Sequence, residues 1–207
     1  MANANTPRGL SPVGTLTGAA YNEQGRLYAI ANDGTNTYAI GDVVKVAGGG
    51  DANGVPYVTK AATTDLPLGV IVGIRVADPG VSLQGTTLTL EQIYLGLNAG
   101  TRYVYVVDDP SVVFSIESDA TGVASADLFK NAGMTITANQ TSLSQSSPQS
   151  STVLNSASLL SEGTTGSLAL PLQVIGIVQS VDNAPGAYAN VLVKWNRHQF
   201  LQAQGTA

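Results

Sequence analysis

The sequence predicts an all-β protein, a β-sandwich or jelly-roll-like barrel with an extended N-terminal arm and at most one short helix. Three observations predict it. Apolar residues recur with a period of two in many short runs, the runs are rich in Val, Ile, Tyr and Thr, and Gly, Pro, Asn and Asp punctuate them. A chain of 207 residues can bury a core without disulfides or a structural metal. No linker divides it. The organisation read from it is an arm over 1–17, a single β-rich domain over 18–198 with a Ser/Thr/Gln-rich insertion at 135–170, and a tail over 199–207.

The arm, rich in Pro and Gly, has little apolar content beyond Leu10, Val13 and Leu16, which give it something to bury against a surface. Tyr21 to Ile40 places an Asn32-Asp33-Gly34 turn between two apolar runs, the pattern of a hairpin. Val43 to Val46 is a strand expected to stop at a flexible turn over Gly48, Gly49 and Gly50. Val55 to Val58 is a further short strand. Leu68 to Val76 is apolar throughout and reads as a strand covered on both faces; Pro171 to Val178 echoes it, as PLQVIGIV against PLGVIVGI, which fits similar demands on two core strands better than a duplication. Thr86 to Leu97 alternates as a strand does.

Arg102 to Asp119 is the expected central hairpin, RYVYVV and VVFSIE hinged at Asp108, Asp109 and Pro110. Tyr103, Tyr105 and Val107 share one face and Val104 and Val106 the other, so both faces are expected to meet protein. Ala120 to Ala132 is the best helix candidate, kept short by Gly122 and Gly133. The uncharged stretch from Asn131 to Ser161 reads as a long surface excursion. A turn at Asp182 to Gly186 precedes the last strand, Tyr188 to Asn196, where Val191, Val193 and Trp195 share a face.

Composition excludes several functions. Cysteine is absent, which removes thiol nucleophiles and Cys-ligated zinc. The net charge is -5 and the Lys and Arg residues are scattered singly, so nucleic acid is not an expected partner. No apolar run is long enough to span a bilayer, and the start lacks the pattern of a secretory leader, so no membrane association is expected. Only 11% of residues are charged, against about 25% in ordinary globular proteins, which points to a surface covered by copies of the chain or by a partner.

Catalysis finds little support. His198 is the single histidine, lies in a polar terminal segment with no GxSxG elsewhere, and reads as a rim or surface residue. Asp108 and Asp109 point to opposite faces and suit a turn; Glu117 and Asp119 share a face but sit at a solvated strand end. Asn32 to Asn36 and Asp51 to Gly54 offer oxygen ligands without the spacing of a calcium loop, and Gly48 to Gly50 lacks the surroundings of a phosphate cradle. The strand tyrosines and Trp195 could form a sugar platform, but their period-two placement favours core or subunit contacts. No enzyme activity, cofactor or metal is expected.

The PRG start with its arm, GDVVKV, PLGVIVGI, YVYVVDDPSVVFSIESD, the KNA segment and the terminal IGIVQSVDNAPGAYANVLVKWNRHQ together resemble capsid decoration, or cement, proteins of tailed bacteriophages. The resemblance implies a structural virion protein on the outer surface of the capsid, assembled in the bacterial host cytoplasm. It implies the major capsid protein and sister copies, as dimer or trimer, as partners at the joints between capsomers. Arg8, Leu10, Val13, Leu16, Tyr103, Tyr105 and Trp195 are the partner-binding candidates, Tyr103 and Tyr105 either packing the core or meeting a second subunit. A receptor- or carbohydrate-binding virion module, or another head or tail structural protein, is the alternative.

Overall fold

The computed structural model describes residues 3–30, 34–75, 94–95, 102–143 and 148–201. Among them the chain is nearly all β, with three single 3-10 turns at Ser125–Asp127, Ser167–Ala169 and Gln199–Leu201 and no α-helix. The strands are β1 Ser11–Thr15, β2 Arg26–Ile30, β3 Tyr38–Ala39, β4 Val43–Gly50, β5 Pro56–Lys60, β6 Gly69–Arg75, β7 Tyr94–Leu95, β8 Arg102–Val107, β9 Val112–Glu117, β10 Asn131–Thr135, β11 Val153–Leu160, β12 Leu172–Ile177 and β13 Asn190–Trp195.

Two sheets divide these strands. One is a closed barrel in the order β2-β5-β4-β6-β8, and the other a six-stranded antiparallel sheet in the order β1-β9-β13-β12-β10-β11; β3 and β7 form a separate ribbon. The barrel interior is filled by Tyr28, Ile30, Tyr38, Val44, Val58, Leu68, Ile71, Val104 and Val106. Its wall also turns Val43, Val70 and Val107 outwards, into a second core with Phe114, Ile116, Val193 and Trp195 of the six-stranded sheet. A barrel strand beside that sheet must therefore be apolar on both faces, which is why β6 and β8 read as continuous apolar runs.

The Arg102 to Asp119 stretch is not a hairpin. β8 pairs with β2 and β6 inside the barrel, whereas β9 pairs with β1 and β13. Asp108, Asp109 and Pro110 form the corner at which the chain leaves one sheet for the other. Asp109 Oδ1 accepts the Ser111 amide at 2.8 Å, and Pro110 has no amide to offer a ladder. The alternation was legible, but each face of β8 had a different core to fill, and that separated the strands.

Four other expectations change. The runs flanking Asn32 to Gly34 do not pair: β2 lies parallel to β5 and antiparallel to β8, and β3 pairs with β7, because Tyr38 is drawn into the barrel interior. Residues 31–33 lie outside the described residues, as do most of the expected Thr86 to Leu97 strand and the turn that follows it. The triple glycine is no turn; β4 runs through Gly50 with a register shift after Val46, and the reversal is made by Asp51, whose Oδ1 accepts the amides of Asn53 and Val55. The expected helix collapses to one 3-10 turn, since the Phe129 amide already donates to the Val174 carbonyl, 2.7 Å away, and Asn131 enters β10. The Ser/Thr/Gln-rich stretch is not a surface excursion. It supplies β11, paired with β10, and buries Gln140, Ser150, Thr152 and Ser156, short polar side chains that fit where hydrogen bonds are available.

Other expectations agree with the structure. The echoing segments are core strands of different sheets, β6 and β12, each with a register shift at its glycine, Gly73 or Gly176. The turn over Asp182 to Gly186 joins the paired strands β12 and β13, and Asn183 ties it shut through Val178 and Asn190.

The expected arm lies, in residues 3–17, on this chain's own sheet. Asn3 donates to the Ala184 and Ala187 carbonyls, the Thr6 amide donates to Glu117 Oε2, and β1 forms the sheet edge. Gly9 and Gly41 cross so closely, at φ of +71° and +92°, that a side-chain carbon on either would collide with the other strand's backbone.

Candidate groove at the corner between the sheets

A groove of about 1230 Å³ opens beside the Asp108-Asp109-Pro110 corner. One wall is β1 and the segment leading to it, through Leu10, Ser11, Pro12 and Thr15; the other is the outer barrel face at Val72, Gly73 and Tyr105. Tyr21 to Arg26 forms the floor at one end, and Ile40 and Phe200 close the rim. The groove lies where the chain leaves the barrel at the end of β8 and enters the six-stranded sheet as β9.

Its charges are three carboxylates, Glu23, Asp108 and Asp109, against the guanidinium of Arg26. Asp108 is largely buried; its Oδ2 accepts the Tyr28 hydroxyl at 2.7 Å and faces Arg26 Nη1 at 3.3 Å. Burial, reinforced by the Asp108 charge, pushes the Tyr28 phenol well above its ordinary range. Asp109 is exposed, and the hydrogen bonds from Ser111 hold its carboxyl below the usual range. Glu23 adopts a left-handed backbone at φ +59°, a strained conformation for a residue with a side chain, at the groove floor. The Arg26 guanidinium lies 5.9 Å from the centre of the Phe200 ring.

His198 is 0% exposed and not a rim residue. The polar terminal segment folds back as the turn Gln199–Leu201, so that the imidazole packs 5.8 Å from Trp195 and 5.5 Å from Phe200, and its Nδ1 accepts the Phe200 amide. With that bond the ring is neutral and carries its proton on Nε2. Burial pulls its pKa down, against the opposing pull of Asp108 and Asp109. Folding thus disfavours charged His198, so the unfolded chain binds the extra proton. Stability is expected to fall as pH drops below about 6.5, until the lowered folded pKa is passed. Glu117, raised chiefly by burial, has the opposite slope just above its ordinary range. Urea midpoints across this pH range for the wild type and for His198→Gln separate the two, the His198 slope disappearing in the variant.

The sequence-derived candidates are not one cluster. Leu10, Tyr103 and Trp195 are buried within the chain: Leu10 and Trp195 belong to the shared core, and Tyr103 donates to Asp51 Oδ2 at 2.5 Å. Arg8, Val13 and Leu16 are exposed, and Tyr105 is 38% exposed on the groove wall. The question of whether Tyr103 and Tyr105 pack the core or face outwards resolves differently for each, because β8 curves around the barrel. Ile40, Glu23, Arg26 and Phe200 were not singled out from the sequence; the only signal was the run Tyr21 to Arg26, polar yet framed by tyrosine and arginine. Of the carboxylates weighed for acid-base work, Asp108 and Asp109 line the groove, whereas Glu117 is committed to Thr6 and Asp119 to the amides of Thr121, Gly122 and Ser156.

Family models, curated proteins and solved structures alike return no match. The groove combines the exposed apolar side chains of Ile40, Tyr105 and Phe200 with the carboxylates of Glu23, Asp108 and Asp109. Among the described residues no three His, Asp or Glu side chains gather as a metal site would require, and no helix is long and apolar enough to cross a membrane.

Proposed function

We propose that this chain is a structural virion protein that binds the outer surface of a phage capsid and bridges the joints between capsomers. The observation that carries the reading is the groove rim. Ile40, Tyr105 and Phe200 stand exposed there, and Val13 and Leu16 are exposed on and just after the neighbouring β1, on a molecule with few charges. Exposed apolar side chains of this size, grouped beside a groove, favour a protein partner. On this reading the jelly-roll-like body is the barrel joined to the six-stranded sheet, and residues 1–17 act as a strap along the face that meets the capsid. The partners are the major capsid protein and sister copies in a dimer or trimer. Several modest contacts per copy multiply into tight retention.

Purified protein is expected to add to expanded but not to immature capsids of the phage that carries its gene, and to raise their resistance to heat. Capsids equally stable with and without it would refute the proposal. Removing residues 1–16 is not the right test of the strap, since Leu10 and β1 belong to the fold. Val13→Ser with Leu16→Ser is expected to lower capsid occupancy at least tenfold, a loss of about 1.4 kcal/mol or more per site, while leaving the melting temperature within a few degrees.

A second reading rests on a specific feature of the same groove, the rings of Tyr21, Tyr105 and Phe200 beside Asn22, Gln24 and Glu23. Rings that can stack and amides that can bond hydroxyls suit a carbohydrate. Binding of the isolated protein to neutral oligosaccharides on a glycan array, without capsid addition, would favour this reading over the first.

A further inference from the structure

Away from the groove, the barrel contains a charged pair that the proposed docking does not use. Asp42 is 0% exposed and the Lys60 side chain 2%, with Lys60 Nζ 2.9 Å from Asp42 Oδ2. Asp42 immediately precedes β4 and Lys60 ends β5, and the register that pairs Val44 with Lys60 brings them together. The carboxyl is gripped from both sides. Oδ2 also accepts the Ala39 amide at 2.8 Å, and Oδ1 accepts the Ser150 hydroxyl at 2.5 Å. Lys60 Nζ is steered by a second bond, to the Thr37 carbonyl at 3.0 Å. Ser150 is itself held by Thr152, through the Thr152 amide at 3.1 Å and a hydroxyl contact at 2.9 Å.

We propose that Lys60 and Asp42 condense, without an added enzyme, into an intramolecular isopeptide bond, because a primary amine is fixed against a carboxyl between two hydrogen-bond donors in a site closed to water. Burial is the largest influence on Asp42 and pushes its carboxyl up, which favours the protonated acid that the reaction consumes, although Lys60 pulls the other way. Moving one proton from nitrogen to oxygen within the pair leaves both groups neutral.

With the transferred proton on Oδ2, the Lys60 nitrogen lone pair then forms a bond to Asp42 Cγ, and the carbonyl π electrons move onto Oδ1, which the Ser150 hydroxyl stabilises. As the tetrahedral carbon collapses, its hydroxyl leaves. The surplus proton on the nitrogen passes to that Oδ2 hydroxyl as the electrons on Oδ1 re-form the carbonyl, so the products are an amide and one water. Nothing is oxidised or reduced. Two charges that are costly to bury are replaced by a neutral amide, and exclusion of bulk water opposes hydrolysis. The bond staples the β4–β5 hairpin at the end opposite its turn at Asp51.

Mass spectrometry of the full chain, denatured and digested with trypsin, tests the proposal. The expected product is a branched species in which peptide 27–45 is joined to peptide 46–75, lighter by one water than the two separately, with cleavage after Lys60 blocked. Free peptides 46–60 and 61–75 in the wild type would overturn it. Lys60→Arg is expected to restore the lost water and the cleavage whether or not the variant is fully folded, since the readout is made on denatured protein. A water still missing from that variant would place the dehydration elsewhere, for instance at Asp33-Gly34, and would also overturn the proposal. Ser150→Ala, sampled soon after synthesis, is expected to contain unlinked peptides that the wild type has already lost; complete linkage at the same time point would rule out the stabilisation of Oδ1 assigned to Ser150.

Discussion

Asp42→Ala is expected to destabilise the chain by about 3–5 kcal/mol, read as a lower urea midpoint with little change in slope. The carboxyl serves three donors at once, Lys60 Nζ, the Ser150 hydroxyl and the Ala39 amide. Without it, the Lys60 nitrogen is left inside the barrel with the Thr37 carbonyl alone. The loss is expected whether the pair is ionic or joined as an amide, since both leave that nitrogen stranded. Asp42→Leu with Lys60→Met removes both groups and is expected to recover much of the stability, because an apolar pair of similar volume carries no desolvation cost. A loss below about 1 kcal/mol for Asp42→Ala would show that water reaches the pair. Ser150 makes this a test of the Ser/Thr/Gln-rich 135–170 stretch as well: its hydroxyl ties the segment leading into β11 to the barrel.

Trp195→Ala is expected to cost a further class of stability, about 3–5 kcal/mol from the lost ring and the cavity it leaves. In a chain of this size that corresponds to a melting temperature lower by roughly 10 °C. The indole meets Phe114 edge to face at 5.4 Å and His198 at 5.8 Å, so it joins β9, β13 and the C-terminal turn. Tyr105→Ala should cost about 1 kcal/mol or less, because that ring is partly in solvent. Calorimetry of the two variants decides which aromatic residue is structural. A stable Trp195→Ala protein that loses only partner binding would put the tryptophan at an interface instead.

The β class and the positions of most strands were legible because period-two alternation reports the faces of a strand directly. Pairing was not. In β8, Val104 and Val106 fill the barrel while Val107 fills the second core, and no local pattern distinguishes one apolar environment from another. Asn32-Asp33-Gly34 carried the chemistry of a hairpin, yet tertiary demand for Tyr38 inside the barrel outweighed it. Low charge around Ser150 and Thr152 suggested a solvated excursion, whereas the same hydroxyls serve as buried partners for a buried acid. Of the groove, only Leu10, Tyr105 and the Asp108-Asp109-Pro110 corner were visible in the sequence. Its other residues come from six separated segments that converge only once the corner at Asp108 to Pro110 has parted the two sheets.

The neighbours of β9 have a consequence for the order in which the chain can be made. They are β1, near the beginning, and β13, close to the end. On the ribosome, β9 can take β1 as soon as it emerges, but its other edge stays open until Asn190 to Trp195 has been synthesised. During that interval Val112, Phe114 and Ile116 have no complete core, and an unpaired strand edge is a template for any neighbouring chain. Products truncated before Asn190 should therefore aggregate, while the emergence of β13 closes the sheet in one late step governed by long-range contacts.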